Sequence, residues 1–342
     1  GSGKSGSERG SSPAGDPVRT SWREKLRLGS MQDSLAPRTL WPSNQPEEHT
    51  PMSQVKLPSW QPGATREAIE VFLDSAEMLP EERREAVFDV DGTLWCVRPH
   101  NPLLEFLVAE LRGAVAGRPE LAGRPEYRAV LEWDRAAIAR LGAVNVMLAL
   151  TELPAGLTPE EYEARVATWF AATHHPDRGV PWSQARYRPM LELIAELRAR
   201  HFSVYLATGI GTEFVRVVSQ RFFGVPPEGV AGAQVGYELD HGLGVPRMLR
   251  TREIVGDPNE GAAKVGNIIR SLGRRPIFAA GSTAGDAQVL EYTAASEGPS
   301  LALLLRHDDG EREYAYDGGA DAQPGWTVAS MRDDWSTVFA DR

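Results

Sequence analysis

A single cysteine, Cys96, is all the thiol chemistry this chain has. One thiol allows no internal disulfide, so a reducing compartment is the simplest setting. Long apolar runs are missing too. No stretch reaches the length of a bilayer span, and the first residues lack the apolar core of a signal peptide. Basic excess is also absent. The net charge is −10 and no Lys/Arg run offsets it locally. That argues against a general nucleic-acid binder, because affinity for a phosphate backbone needs a positive surface. The simplest expectation is a cytoplasmic protein partnered by neither membrane nor nucleic acid.

What is present is ordinary for a globular protein: 342 residues, 42% hydrophobic and 25% charged, with room for one large domain or two modest ones. Residues 1–55 stand apart, being rich in Ser, Gly, Pro, Arg and Glu without a sustained apolar period. Such a composition cannot bury enough surface to fold alone, so a disordered tail or upstream extension is expected. Met31 and Met52 are both plausible starts. The opening "GSGKS" lacks the spacing and the preceding strand of a phosphate-binding loop.

From residue 56 the pattern becomes periodic. "ATREAIEVFLDSAEM" places Ala68, Ile69, Val71, Phe72 and Ala76 at roughly helical spacing. "AVFDV" (86–90) reads as a strand running into an Asp-Gly turn. Residues 99–198 show no good strand; amphipathic stretches such as "PLLEFLVAELRGAV", "EYRAVLEWDRAAIARL" and "TPEEYEARVATWFAAT" predict an inserted helical domain. Strands and helices then alternate: "FSVYLAT", "GTEFVRVVSQRFFG", "NEGAAKVGNIIRSLG", "RPIFAAGS", "AGDAQVLEYTAAS", "LALLLRH" and "WTVASM". Near-continuous apolar strands alternating with helices predict an α/β fold with a mainly parallel sheet covered on both faces. The expected division is a core of residues 56–98 and 199–342 with a helical cap at 99–198.

In such sheets, sites form beyond the carboxyl ends of the strands. The first strand end offers Asp89, Asp91 and Thr93, the second Thr208 and Gly209, the third Ser282, Thr283 and Asp286. Lys264 lies on the helix leading to the third. Asp89 and Asp91 alternate along a strand, so their carboxylates are close; either this is an acidic turn or it is built around a metal ion. Together the groups suit phosphoryl transfer. A carboxylate can be the nucleophile, a second can serve as acid and base, and hydroxyl, amide and ammonium groups can hold phosphoryl oxygens. Mg²⁺ would be the matching cofactor, since it takes oxygen ligands and shares its shell with phosphate.

"DVDGTLW", "YLATG", "AAK" and "GSTAGD", in this order, resemble the four motifs of the haloacid dehalogenase (HAD) superfamily, in its phosphoserine-phosphatase-like branch. "LPSW", "EFVR" and "HDDGEREYAYD" resemble a bacterial group within it. The resemblance implies a Rossmann-like core with a cap inserted between the first two motifs. It implies Asp89 as nucleophile and metal ligand, and Asp91 as general acid/base with its carbonyl on the metal. Thr208 and Lys264 would be the phosphate-holding pair, and Asp286 a third metal position. The substrate would be a small phosphorylated metabolite, with Thr93 and Gly209 at the phosphate and Arg98, His100 and Arg188 as leaving-group contacts.

Two departures accompany the resemblance. Ser282 stands where the fourth motif usually has an acidic residue after its Gly, and Ala284 replaces an inner Asp. Val97 and Arg98 occupy the neighbourhood where phosphoserine phosphatases carry a glutamate for the substrate amine, so phosphoserine itself is not supported. A phosphotransferase or another HAD hydrolase on this fold stays open, as does a weakened protein that binds a phospho-ligand. "THHPD" and "RHDDGE" look like metal clusters, but adjacent residues rarely point at one ion. Trp95, Trp133, Trp169 and Trp182 are expected to pack.

Overall fold

Strand β1 (Glu85–Phe88) is four residues long and buried throughout, and everything else is arranged on its two sides. A computed structural model describes residues 56–242 and 244–340. The tail expected to be disordered, 1–55, lies outside the described residues. Helix α1 (Ala64–Ala76) precedes β1 and buries Ile69, Phe72, Leu73 and Ala76. Val71, counted with that apolar face from the sequence, is instead 66% exposed, and Leu73 takes its place.

After β1 come six helices: α2 (Pro102–Gly117), α3 (Pro125–Leu131), α4 (Arg135–Leu141), α5 (Ala143–Thr151), α6 (Pro159–Ala172) and α7 (Arg188–Ala199). The helical insertion between the first two strands is therefore present. Asn101 caps α2 by accepting from Leu104 N, and Thr158 with Glu161 forms a reciprocal capping box at α6. The stretch 126–141, which reads as one amphipathic run, breaks at Trp133 (φ 52°), where Asp134 starts α4 by accepting from Ala137 N.

The alternation then follows: β2 (Ser203–Gly211), α8 (Thr212–Phe223), β3 (Val230–Asp240), β4 (Arg247–Val255) and α9 (Gly261–Leu272). The chain closes with β5 (Phe278–Gly281), α10 (Ala287–Ala294), β6 (Leu301–Arg306), β7 (Trp326–Ser330) and α11 (Met331–Asp334). One seven-stranded sheet results, in the order β4-β3-β2-β1-β5-β6-β7. All pairs are parallel except β3–β4, the hairpin around the Asp240–Gly242 turn. The fold is thus α/β with a mostly parallel sheet, as the sequence pattern predicts.

Strand alternation divides the core. Ala86 and Phe88 of β1, with Leu301, Leu303 and Leu305 of β6, join the larger apolar cluster with α1, α7 and α8. Val87, Ala302 and Leu304 face the other way and pack with Ile268 and Leu272 of α9 and Val289 and Leu290 of α10. Each fully buried large apolar side chain contributes about 1.5–3 kcal/mol, so both faces matter to stability. The insertion is tied to the first cluster by aromatics: Phe170 of α6 lies 5.1 Å from Phe214 of α8 and 6.2 Å from Trp95. Packing of this kind fixes the loop after β1. No helix among the described residues is long and apolar enough to cross a membrane.

Candidate active site

The parallel register brings three loops together beyond the sheet. Phe88 is paired with Leu206 on one side and Ala280 on the other. The next residues along, Asp89, Ala207–Thr208 and Gly281–Ser282, therefore emerge side by side, and Asp89 N donates to Ala280 O at 2.9 Å. The chain then turns sharply at Gly92, whose φ is +75°. A side chain there would be strained, and its Cβ would meet Ser282 Oγ at 3.0 Å, Tyr316 OH at 3.0 Å and His307 Nε2 at 3.3 Å.

Asp89, Lys264 and Asp286 form the centre, and all three are buried. Lys264 Nζ donates to Asp89 Oδ1 and to Asp286 Oδ1, each at 2.6 Å. Thr93 Oγ1 donates to Asp89 Oδ2 at 2.9 Å and lies 3.1 Å from Ser282 Oγ. The other oxygen of Asp286 accepts from Ser282 N, Thr283 N and Thr283 Oγ1, each at 3.0 Å. This tight turn needs Gly281, because a Cβ there would sit 2.4 Å from Asp286 Cβ. Asp91 is half-buried, and its Oδ1 accepts from Trp95 Nε1 at 2.7 Å.

Charge follows from this packing. Burial, then the Asp286 charge, pushes the Asp89 carboxyl well above the usual range, with Lys264 pulling the other way. Burial likewise pushes Asp91 up to about 6, against the Trp95 hydrogen bond. At Lys264 burial opposes the ammonium, but Asp286 and Asp89 outweigh it and hold the group above its ordinary value. Three carboxylates thus share one ammonium, and the two on the β1 side are under-neutralised.

Thr208 is fully buried, and its carbonyl accepts from Asn259 Nδ2 at 2.7 Å. Gly209 follows it, close enough to Glu260 that a Cβ would lie 3.6 Å from Glu260 Oε1. Arg98 places its guanidinium 4.3 Å from the Tyr316 ring centroid. His100 is 2.7 Å from Glu105 Oε1 and stacks on Trp133 at 4.0 Å, at the start of the insertion. Arg188 Nε donates to Glu192 Oε1 at 3.2 Å, one turn along α7. The structure therefore brings Asp89, Asp91, Thr93, Lys264 and Asp286 together, with Arg98 linked to them through Tyr316. His100 is engaged within the insertion, and Arg188 along its own helix.

Four participants escape sequence reasoning. Trp95 packs as expected, against Phe170, Phe222 and Phe223, but it also orients Asp91. Tyr316 and His307 line the turn at Gly92 from the loop between β6 and β7, and Glu313 backs His307. The quoted string "HDDGEREYAYD" contains all three, so a signal was there, though not its direction. The acidic neighbours of His307 point elsewhere: Asp308 accepts from Ser330 Oγ and Asp309 from Glu311 N and Arg312 N.

The haloacid dehalogenase-like hydrolase family model matches residues 86–291, and the chain belongs to that family. No curated protein matches the chain. Among solved structures it is similar to a protein of unknown function from Bordetella pertussis Tohama I, with 19% identity, 72% of this chain and 97% of that one covered, and a TM-score of 0.46. A functionally unknown protein from Anaerococcus prevotii DSM 20548 is similar at 13% identity over 73% and 87% of the two chains, TM-score 0.49. So is a probable phosphoserine phosphatase from Vibrio cholerae, at 13% identity over 68% and 58%, TM-score 0.38.

Members of this family typically use Mg²⁺. The site fits a divalent cation by charge, because Asp89 and Asp91 carry negative charge that Lys264 alone does not balance. The ligand set is short, however. Asp286, expected as a metal position, has both oxygens engaged by protein donors, and Ser282 offers a hydroxyl where an acid was expected. Among the described residues no group of three or more His, Cys, Asp or Glu side chains is arranged to hold an ion.

Proposed function

We propose that the chain is a Mg²⁺-dependent phosphatase that hydrolyses a small phosphomonoester through an aspartyl-phosphate on Asp89. The observation that carries this reading is the Asp89–Lys264–Asp286 arrangement, with a second carboxylate, Asp91, two residues away on the same turn. Asp89 Oδ attacks phosphorus while the bond to the leaving oxygen breaks. Asp91 gives its proton to that oxygen, so a neutral alcohol departs. Asp91, now a carboxylate, takes a proton from water; the water oxygen attacks phosphorus, and phosphate leaves as Asp89 is regenerated. Lys264, Thr208 and the amides around Gly92 and Gly209 hold the phosphoryl oxygens, where fixed donors act strongly in a buried site. Thr93 orients Asp89, and Asp286 orients Lys264.

Asp89 and the main-chain carbonyl of Asp91 would hold the cation, with Ser282 beside them; when bound it supplies positive charge to the phosphoryl oxygens. The insertion, residues 99–198, would be the cap that meets the leaving group. Hydrolysis of p-nitrophenyl phosphate with Mg²⁺ and its loss in EDTA test the reading. Activity that survives Asp89→Asn would remove the covalent step. A phospho-ligand binder without turnover is the second reading. It is favoured by Ser282 and Ala284 in the fourth motif, and Mg²⁺-dependent binding of beryllofluoride without phosphatase activity would support it.

A further inference from the structure

Beyond the reacting group, Tyr316 and His307 meet the Gly92 turn and two further side chains stand behind them. Tyr316 OH is hydrogen-bonded to His307 Nε2 at 3.0 Å, and the two rings stack with centroids 4.1 Å apart. His307 Nδ1 lies 3.3 Å from Glu313 Oε2, and the His307–Glu313 pair is wholly buried. Glu313 Oε1 accepts from Tyr187 OH at 2.7 Å, and Oε2 from Tyr314 N at 2.6 Å. Every polar atom in the chain Tyr187–Glu313–His307–Tyr316 thus has a partner, so Tyr316 is held rigidly. Its hydroxyl faces the Gly92 turn beside Ser282.

On the outer side of the same ring sits Arg98. It is exposed, its guanidinium lies 4.3 Å from the Tyr316 centroid, and among the described residues it has no carboxylate partner. An unpaired guanidinium stacked on a ring that is fixed from beneath is pre-organised for a planar anion. The ring beneath it turns its hydroxyl to Gly92, the residue that follows Asp91, the group proposed to protonate the leaving oxygen.

We infer that Arg98, presented on Tyr316 and the buried His307–Glu313 pair, is a subsite for a second anionic group, a carboxylate or phosphate, on the alcohol that leaves. This deepens the phosphatase reading and rests on it for the identity of the alcohol. Arg98 is the substrate contact; Tyr316 and His307 are positioning residues.

The test compares two phosphate esters of similar size whose distal groups are oppositely charged, phosphoglycolate and phosphoethanolamine. Their binding to the full chain carrying Asp89→Asn is measured by calorimetry in Mg²⁺, so nothing is consumed. Phosphoglycolate is expected to bind at least about tenfold more tightly, the scale of one charged hydrogen-bonded contact. Adding Arg98→Glu is expected to reverse the order, and adding Tyr316→Ala to remove most of the preference while Tyr316→Phe keeps the larger part of it. A preference unchanged by Arg98→Glu, or no binding of either ester, overturns the inference. Because binding is read with Asp89 disabled, a wild-type chain that hydrolyses nothing would refute the phosphatase reading and leave this result standing.

Discussion

Lys264 Nζ lies 2.6 Å from a carboxylate oxygen on each side, yet the two loops that supply those oxygens are built differently. After β5, Asp286 accepts from Lys264 and from three further donors within its own turn. After β1, Asp89 has one donor on each oxygen, and burial with a neighbouring charge pushes its carboxyl up. Asp91 beside it has one oxygen oriented by Trp95 and is half-buried. The same residue type is therefore saturated in one loop and under-neutralised in the other. Saturation makes a strut; under-neutralisation leaves a carboxylate with affinity for a cation or a phosphorus centre.

The largest expected effect separates the two loops by activity. Asp89→Asn should lower kcat by about 10⁴-fold or more, as loss of a covalent participant does. Asp286→Asn should lower it by only about 10- to 100-fold, the scale for groups that orient a reacting group. Equal losses in steady-state kinetics would erase the distinction. Asp91→Asn belongs between them, at about 10²- to 10⁴-fold.

The next effect is on stability. Lys264→Met leaves Asp89 and Asp286 facing one another without their shared cation. Removing one partner of a buried ion pair costs about 3–5 kcal/mol, which urea unfolding would register. A stability equal to the wild type would mean that the ammonium is better solvated than its burial indicates.

How much of this was legible in the chain depends on distance along it. Asp89, Asp91, Thr93 and Asp286 could be picked from strand ends, because strand-to-loop transitions are local and the parallel register follows from alternation, whereas Lys264, on the helix before β5, was legible only through the order of the motifs. The contact of Tyr316 with Gly92 could not be picked: it joins two loops through the path of the chain between β6 and β7, and no period marks it. Trp95 illustrates another limit. Its size announces packing, and its indole N–H, which orients Asp91, leaves no separate trace in sequence. The helix break at Trp133 was hidden because apolar spacing continues across it, while Asp134 and its cap decide the boundary. Residue 282 was legible as a departure, but that Asp286 is saturated needed coordinates.

Smaller effects sharpen the comparison at that residue. Ser282→Asp gives the β5 loop a carboxylate not held by its own turn. Mg²⁺ affinity measured by calorimetry should rise about tenfold or more, one extra charge contact at close range being worth at least about 1.4 kcal/mol. Unchanged affinity would place the cation elsewhere. The smallest effect is on pH. In EDTA, native Asp91 keeps its proton to about pH 6 against an ordinary value of 3.8, and native Asp89 is shifted the same way. The native state then binds more protons than the unfolded chain in this range, so the pair's contribution to stability falls as pH rises from about 4 through about 7. Urea unfolding across that window should show the fall for the wild type, less of it in Asp89→Asn, and a flatter profile with Mg²⁺.

The most direct measurement reads the chemistry at Asp89 itself. Wild-type protein turning over p-nitrophenyl phosphate in Mg²⁺ is quenched in acid and reduced with borohydride, which converts an acyl phosphate to an alcohol. Peptide mass spectrometry should then find homoserine at position 89, with Asp91 and Asp286 unaltered. Sustained phosphate release with residue 89 recovered only as aspartate would contradict the covalent route.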